Sequence, residues 1–311
     1  MSAENFESTQ FLNEIEIGLG AWSWGDRMVW NYGKNYSDAD IEAGFTISTQ
    51  NGVILVDTAE IYGNGRSERL LGQFIKNSQA RVIVATKFFP LPWRFTKKSV
   101  VNALRASLER LDVEKVDLYQ IHWPSPIVPI ETYVEGLAIA KQLGLANAVG
   151  VSNYNKTQMQ RAYTVLAKYD IPLASNQVEF HLLNRTAEKS GLLTRCQELG
   201  IRLIAYSPLA MGLLTGKYSS ENPPPGMRAG KYSSILKEIK PLIKLLTDIG
   251  QDIGGKSAAQ VALNWCMFKG TLPIPGAKNI HQAEMNVGAT GWKLSIEQVQ
   301  ALDTLSDQFS K

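Results

Sequence analysis

The stretch ILVDTAEIYGNGRSE, residues 54–68, carries the first sign of how this chain folds. Its opening residues complete an apolar, β-branched run over 53–56, with Gly52 before it and Asp57 after it. That pattern reads as a short strand buried on both faces. Asp57 then stands at the strand's carboxyl end, and Tyr62 follows in a glycine-rich loop. In folds of parallel strands the carboxyl ends carry the chemistry, so the meaning of Asp57 and Tyr62 depends on what other strands bring to the same end.

Working outward, similar strand-like runs lie at 17–21, 82–86, 116–120, 147–151, 174–178, 202–205 and 271–274, which with 53–56 makes eight. Amphipathic helical segments separate them. Ser37 and Asp38 open one that stops at Gly52, Thr96 opens another, and later ones stop at Gly200 and Gly270. These are N-cap and C-cap signals on segments with 3.6-like apolar spacing. Strand–helix alternation at this period implies parallel strands with right-handed crossovers, and eight such units close into a (β/α)8 TIM barrel, here a single domain over residues 1–311. An open dinucleotide-binding sheet is the competing architecture. GLGAWSWG supplies Gly18 and Gly20 but has its next glycine at Gly25, so the GxGxxG phosphate loop is missing. Two segments break the beat. FLNEIEIG, 11–18, alternates apolar and polar residues as a short N-terminal β-hairpin closing the barrel bottom would. The segment 217–234, rich in Pro, Gly and Ser, is either a plain surface loop or a clamp over a ligand.

Composition narrows the class of function. Of 311 residues 44% are hydrophobic and 20% charged, enough apolar material for one large core. The net charge of +3 comes from 32 basic and 29 acidic residues that are interspersed, which leaves no footprint for nucleic acid or an acidic membrane. No apolar run approaches the ~20 residues of a membrane span. The acidic N-terminus lacks an apolar core or an Arg-rich transit character, and Cys196 and Cys266 have no pairing or metal spacing. The expectation is a cytoplasmic protein, monomeric by default. With three histidines, His122, His181 and His281, and no ligand spacing, no metal site is expected; the last two read as ordinary side chains.

Just beyond the ends of the second to fourth strands stand Asp57, Tyr62, Lys87 and His122. A carbonyl accepts a hydride at neutral pH only when its oxygen is polarised and protonated. A tyrosine can supply the proton, a nearby ammonium such as Lys87 would lower its pKa from ~10, and Asp57 would keep that ammonium charged. His122 can donate a hydrogen bond to the same oxygen. A hydrolase would need convergent acids or histidines instead, and here a single acid pairs with a lysine.

The motifs VDTAEIYGNGRSERLLG, VATK, DLYQIHWP, VGVSNYN, NQVEFHLLNR, GIRLIAYSPLAMGLLTGK and IPIPGAKNIHQAEMN, running in order from about residue 17 to 286, resemble those of the aldo-keto reductase family. The resemblance implies a tetrad of Asp57, Tyr62, Lys87 and His122, with Tyr62 the general acid in reduction and base in oxidation. It implies NADPH/NADP held at the barrel mouth without a Rossmann domain and a small-molecule aldehyde or ketone as substrate. Ser152, Asn153 and Gln177 match the residues around the nicotinamide carboxamide, and Tyr206 the ring that stacks on it. Ser207, Pro208, Leu209 and Gly212 match the pyrophosphate loop, with Lys217 a phosphate contact. Gly276, Lys278, Gln282 and Asn286 match the positions around the 2′-phosphate and adenine, Lys278 supplying the charge that favours NADPH. For the substrate, the loops at the mouth offer Trp22, Trp24, Phe88, Trp93 and Trp123. Because some members of the family serve as cofactor-sensing subunits of channels, the alternative to a carbonyl reductase is a cofactor-binding regulatory subunit with weak activity.

Overall fold

The structure is a computed structural model that describes residues 11–225, 227–232 and 234–309. Eight parallel strands run in sequence order: β1 (Leu19–Gly20), β2 (Leu55–Asp57), β3 (Ile83–Phe88), β4 (Val116–Ile121), β5 (Ala146–Ser152), β6 (Leu173–Glu179), β7 (Arg202–Tyr206) and β8 (Leu272–Ile274). Each falls on one of the eight sequence-predicted runs, with ends shifted by a few residues. The sheet returns on itself where Gly18 N donates to Pro273 O (2.9 Å) and Gly20 N to Pro275 O (3.0 Å). This is a (β/α)8 barrel.

The helices begin where the sequence caps them. Ser37 accepts from Asp40 N while the Asp40 carboxylate reaches back to Ser37, a reciprocal cap on the helix Asp38–Gln50. Thr96 caps Lys97–Leu111 in the simpler way. Side chains alternate along each strand, which divides the core in two. Leu55, Ala85, Leu118, Ala148, Ala174 and Ile204 fill the barrel interior, while the larger cluster lies between strands and helices. In β3, Ala85 points inward, while Val84 and Phe88 belong to the outer cluster.

The barrel bottom is plugged differently from the expectation. Residues 11–16 form turns and no strand, although Leu12 and Ile15 are buried against the interior cluster. Among the described residues no neighbouring strand offers them a ladder; Arg202 Nη2 donates to Ile15 O at 3.1 Å. The rest of that expected hairpin lies outside the described residues. The segment 217–234 also departs from a plain loop, because it contains a short helix, Met227–Tyr232. Among the described residues no helix is long and apolar enough to cross a membrane.

One close approach fixes how the helix Arg66–Ser78 sits on the helix Lys97–Leu111. A Cβ at Gly72 would lie 2.3 Å from the backbone oxygen of Leu111. Gly72→Ala is therefore expected to cost about 1–3 kcal/mol, the range for overpacking a tight site, read as a lowered denaturation midpoint in urea.

Candidate active site

Parallel pairing puts the carboxyl ends of β2, β3 and β4 side by side, with Asp57 opposite Ala85 and Lys87 opposite Gln120. Lys87 is fully buried and its ammonium donates to Asp57 Oδ2 (2.5 Å), to Thr58 O (2.8 Å) and, at 3.4 Å, to the Tyr62 hydroxyl. The other carboxylate oxygen of Asp57 accepts from Gln177 Nε2 (2.8 Å) and Gln120 Nε2 (3.4 Å). A buried ion pair needs such extra hydrogen bonds to offset the desolvation of its charges. The rings of Tyr62 and His122 meet edge to face, 5.6 Å apart, and Phe89 packs edge-on against His122 at 5.5 Å. All four expected tetrad residues converge.

Tyr62 reaches this place through an unusual backbone. Gly63, Asn64 and Gly65 have φ of +54°, +54° and +80°, a run of left-handed residues that glycine tolerates best. The turn packs on the first barrel loop so closely that a Cβ on Gly63 would lie 3.0 Å from the Gly25 backbone.

The electrostatics differ from the expectation that Lys87 lowers the Tyr62 pKa. Burial raises the phenol well above its ordinary value, and the Asp57 carboxylate adds to this. Lys87 is itself pulled down by burial, against the opposing pull of Asp57. Its charge is directed first at the nearer Asp57, so the phenol stays protonated. Burial and the Lys87 charge push His122 well below the usual imidazole range. A neutral His122 faces a protonated Tyr62.

Asp57, Tyr62 and His122 line a cavity of about 740 Å³ at the barrel mouth, and Lys87 lies behind them. Every cofactor position expected from sequence lines this same cavity. Asn153, at φ +62°, donates to His122 O (3.0 Å) and to Ser152 Oγ, and accepts from the Tyr206 hydroxyl (3.0 Å). Ser207, Pro208, Leu209 and Gly212 form a wall in which Ser207, Ala210, Met211 and Gly212 all have positive φ, a tightly folded backbone. Gly276, Lys278, Gln282 and Asn286 make another, where Gln282 Oε1 accepts from Lys278 N (3.0 Å) and Asn286 Nδ2 donates to Gly276 O (3.2 Å). Lys217 completes the set.

The expected substrate aromatics divide. Trp22 and Trp123 line the cavity. Trp24 does not: it is buried against Phe45 and Phe74 with its indole N–H on Ala277 O. Phe88 is buried beneath Arg94 and beside Tyr133, because strand alternation turns it outward when Lys87 points in. Trp93 is 69% exposed and lies outside the cavity wall.

Several wall residues escape the sequence reading. Phe89 follows from the same alternation that removes Phe88. Gln120, which donates to Asp57 behind the wall, lies two residues before His122, on the same strand face. His281, read as ordinary, lines the cavity. Trp30, Tyr218 and Arg228 also line it, and no local pattern marks them: the first two come from irregular segments and Arg228 from the short helix Met227–Tyr232.

Lys217, Arg228 and Lys278 thus meet in one cavity. Among the described residues none of them forms an ion pair; Arg228 is nine-tenths buried with its Nε unpartnered. Burial, together with the Arg228 and Lys217 charges and against Asp26, lowers the Lys278 pKa to about 8. Such a set fits an anionic group.

Residues 16–307 match the model of the aldo/keto reductase family. The chloroplastic pyridoxal reductase of Arabidopsis thaliana is 42% identical, with 96% of this chain and 85% of that protein aligned. A crystal structure of an aldo/keto reductase from Klebsiella pneumoniae in complex with NADP and acetate is 28% identical, has a TM-score of 0.74, and covers 94% of this chain and 91% of its own. The structure of a glycerol dehydrogenase from Gluconobacter oxydans is 27% identical with a TM-score of 0.82, covering 94% of this chain and 92% of its own. With a barrel of this topology, a tetrad at its mouth and a family match over nearly its whole length, the chain belongs to the aldo/keto reductase family.

Proposed function

We propose that the protein is an NADPH-dependent carbonyl reductase in which Tyr62 delivers the proton to the substrate oxygen. The observation that carries this reading is the convergence of the Tyr62 hydroxyl and His122, backed by the Lys87 ammonium, on one cavity that also gathers cations with no ion-pair partner among the described residues. When bound, reduced nicotinamide supplies a hydride to the carbonyl carbon. Tyr62, held protonated, donates its proton to the carbonyl oxygen, and Lys87, 3.4 Å away, stabilises the phenolate that remains. His122 is neutral, and its Nδ1 is buried without a partner. A bare ring nitrogen tolerates that position better than an N–H, which favours the Nε2–H tautomer and a hydrogen bond to the same oxygen.

Lys278, Arg228 and Lys217 would hold the 2′-phosphate that separates NADPH from NADH, and the positive-φ wall over 207–212 would carry the pyrophosphate. Lys278→Met is expected to raise the KM for NADPH about tenfold or more while leaving that for NADH within about twofold, since NADH has no group for the missing cation. The pH dependence has a definite sign. The phosphate gains its second charge above ~6. Lys278 loses its charge as pH rises through about 8. NADPH affinity should peak between those values and fall on the alkaline side, whereas NADH affinity should not.

The substrate is proposed to be an uncharged aromatic aldehyde of the pyridoxal type. The cavity-wall neighbours of Tyr62 and His122 are Ile61, Phe89 and Trp123, which suit a planar ring and offer no cation to an anionic one. The name of the Arabidopsis relative points the same way. NADPH oxidation with pyridoxal and with pyridoxal 5′-phosphate tests this directly: a preference for the unphosphorylated aldehyde supports the reading, and the reverse preference removes it.

A further inference from the structure

The loop between β1 and the helix Asp38–Gln50 has no part in the tetrad, yet it reaches two other parts of the site, at Lys278 and Arg228. Trp30, near its middle, meets Trp22 edge to face at 5.5 Å. The Lys278 ammonium lies 4.3 Å from the centroid of the Trp30 ring and 5.0 Å from that of Tyr36. The guanidinium of Arg228 lies 4.9 Å from the same Trp30 ring. Two cations from distant parts of the chain therefore share one indole.

We propose that Trp30 is a positioning residue that stations Lys278 and Arg228 for the cofactor's 2′-phosphate and so sets the preference for NADPH over NADH. This rests on the reading of the cavity as an NADPH site. Two like charges brought together repel, and the usual way to hold them is a carboxylate between them. A carboxylate would also repel the incoming phosphate and compete with it for both cations. An aromatic face attracts a cation through its quadrupole without carrying net charge, so it gathers the cations and leaves their charge available. Among the described residues Lys278 and Arg228 take this second arrangement: neither has a carboxylate ion pair, and Arg228 Nη1 donates to Met211 O at 3.2 Å.

The loop is built to keep Trp30 in place. Asp26 Oδ1 accepts from the backbone N–H of Val29 (2.7 Å) and Trp30 (3.4 Å), and Tyr32 N donates to Asp26 O. Tyr36 donates its hydroxyl to Ser23 O at 2.6 Å. Tyr32 is in turn bonded to Asp38 and to Arg66, and Arg66 pairs with Asp38 at 2.6 Å. Arg66 opens the helix that follows the Tyr62 turn. Trp30 is thus fixed to the backbone that carries the catalytic tyrosine, while its indole Nε1 is buried without a partner and makes no competing polar contact.

The test uses 2′,5′-ADP and 5′-ADP as probes, which differ in the 2′-phosphate, with binding measured by calorimetry on the full chain. Trp30→Leu is expected to weaken 2′,5′-ADP about tenfold, the scale of desolvated cation–π contacts, and 5′-ADP by less than about twofold. Trp30→Phe keeps an aromatic face and should recover most of the loss. In turnover, Trp30→Leu should raise the KM for NADPH with kcat nearly unchanged. Equal weakening of both probes in Trp30→Leu, or Trp30→Phe no better than leucine, would assign Trp30 a merely structural role and overturn the proposal. Unchanged 2′,5′-ADP binding in Trp30→Leu would overturn it as well, while leaving the NADPH reading intact. A wild-type protein that does not distinguish the two probes would instead remove the NADPH reading and this proposal with it.

Discussion

Tyr62→Phe is expected to lower kcat for aldehyde reduction by about 10³-fold, within the range a positioned proton donor contributes, and to leave the Kd for NADPH within about twofold. The substitution removes one oxygen and keeps the ring that packs edge-on against His122. Among the described residues no other protonated group stands in the same position: Lys87 is committed to Asp57 and Thr58, and His122 is held neutral by burial and by the Lys87 charge. Because the phenol is held well above its ordinary value, the reductive rate should not fall through Tyr62 ionisation until strongly alkaline pH. The oxidative direction needs the phenolate and should rise with pH across the same range. Steady-state profiles in both directions, with cofactor saturating, check the pair of statements.

Lys87→Met should damage stability and activity together. The methionine leaves Asp57 buried without its counter-ion, and breaking a buried pair from one side costs about 3–5 kcal/mol. The lower end of that range is expected here, because the side-chain amides of Gln177 and Gln120 still donate to Asp57 Oδ1. Adding Asp57→Asn to Lys87→Met removes the unpaired charge and should restore part of the lost stability without restoring turnover. Urea denaturation of the three variants measures this directly. A Lys87→Met midpoint equal to wild type would mean that the buried pair is not holding the site as described.

Much of the fold is legible in the sequence because it rests on local chemistry. Short β-branched runs, Ser and Thr caps and glycine stops repeat in sequence order, and each is decided within a few residues. The tetrad is legible for the same reason: Asp57, Lys87 and His122 close strands whose direction and adjacency follow from the repeat. What the sequence hides depends on orientation. Trp24, Phe88 and Trp93 are aromatic and lie beside the mouth in sequence, but Phe88 faces outward by strand alternation, Trp24 fills the space beside Phe45 and Phe74, and Trp93 stays in solvent. Strand alternation, applied strictly, replaces Phe88 by Phe89. Trp30 and Arg228 are not legible, since one lies in an irregular loop and the other in a short helix within a Pro/Gly-rich segment, and their meeting joins segments nearly two hundred positions apart. The direction of the Tyr62 pKa shift is hidden for a related reason. The sequence pairs the phenol with an ammonium, whereas the depth of its burial and the hold of Asp57 on the Lys87 charge are properties of the folded barrel.

NADPH oxidation by the purified protein with pyridoxal as acceptor, alongside Tyr62→Phe and with 2′,5′-ADP binding as the control for an intact cavity, decides whether Tyr62 is the proton donor of a carbonyl reductase. Turnover by wild type, its near-complete loss in Tyr62→Phe, and unchanged 2′,5′-ADP binding in both are the expected results. Equal turnover by the two proteins, or tight cofactor binding with no reduction of pyridoxal or any other carbonyl, would contradict that role.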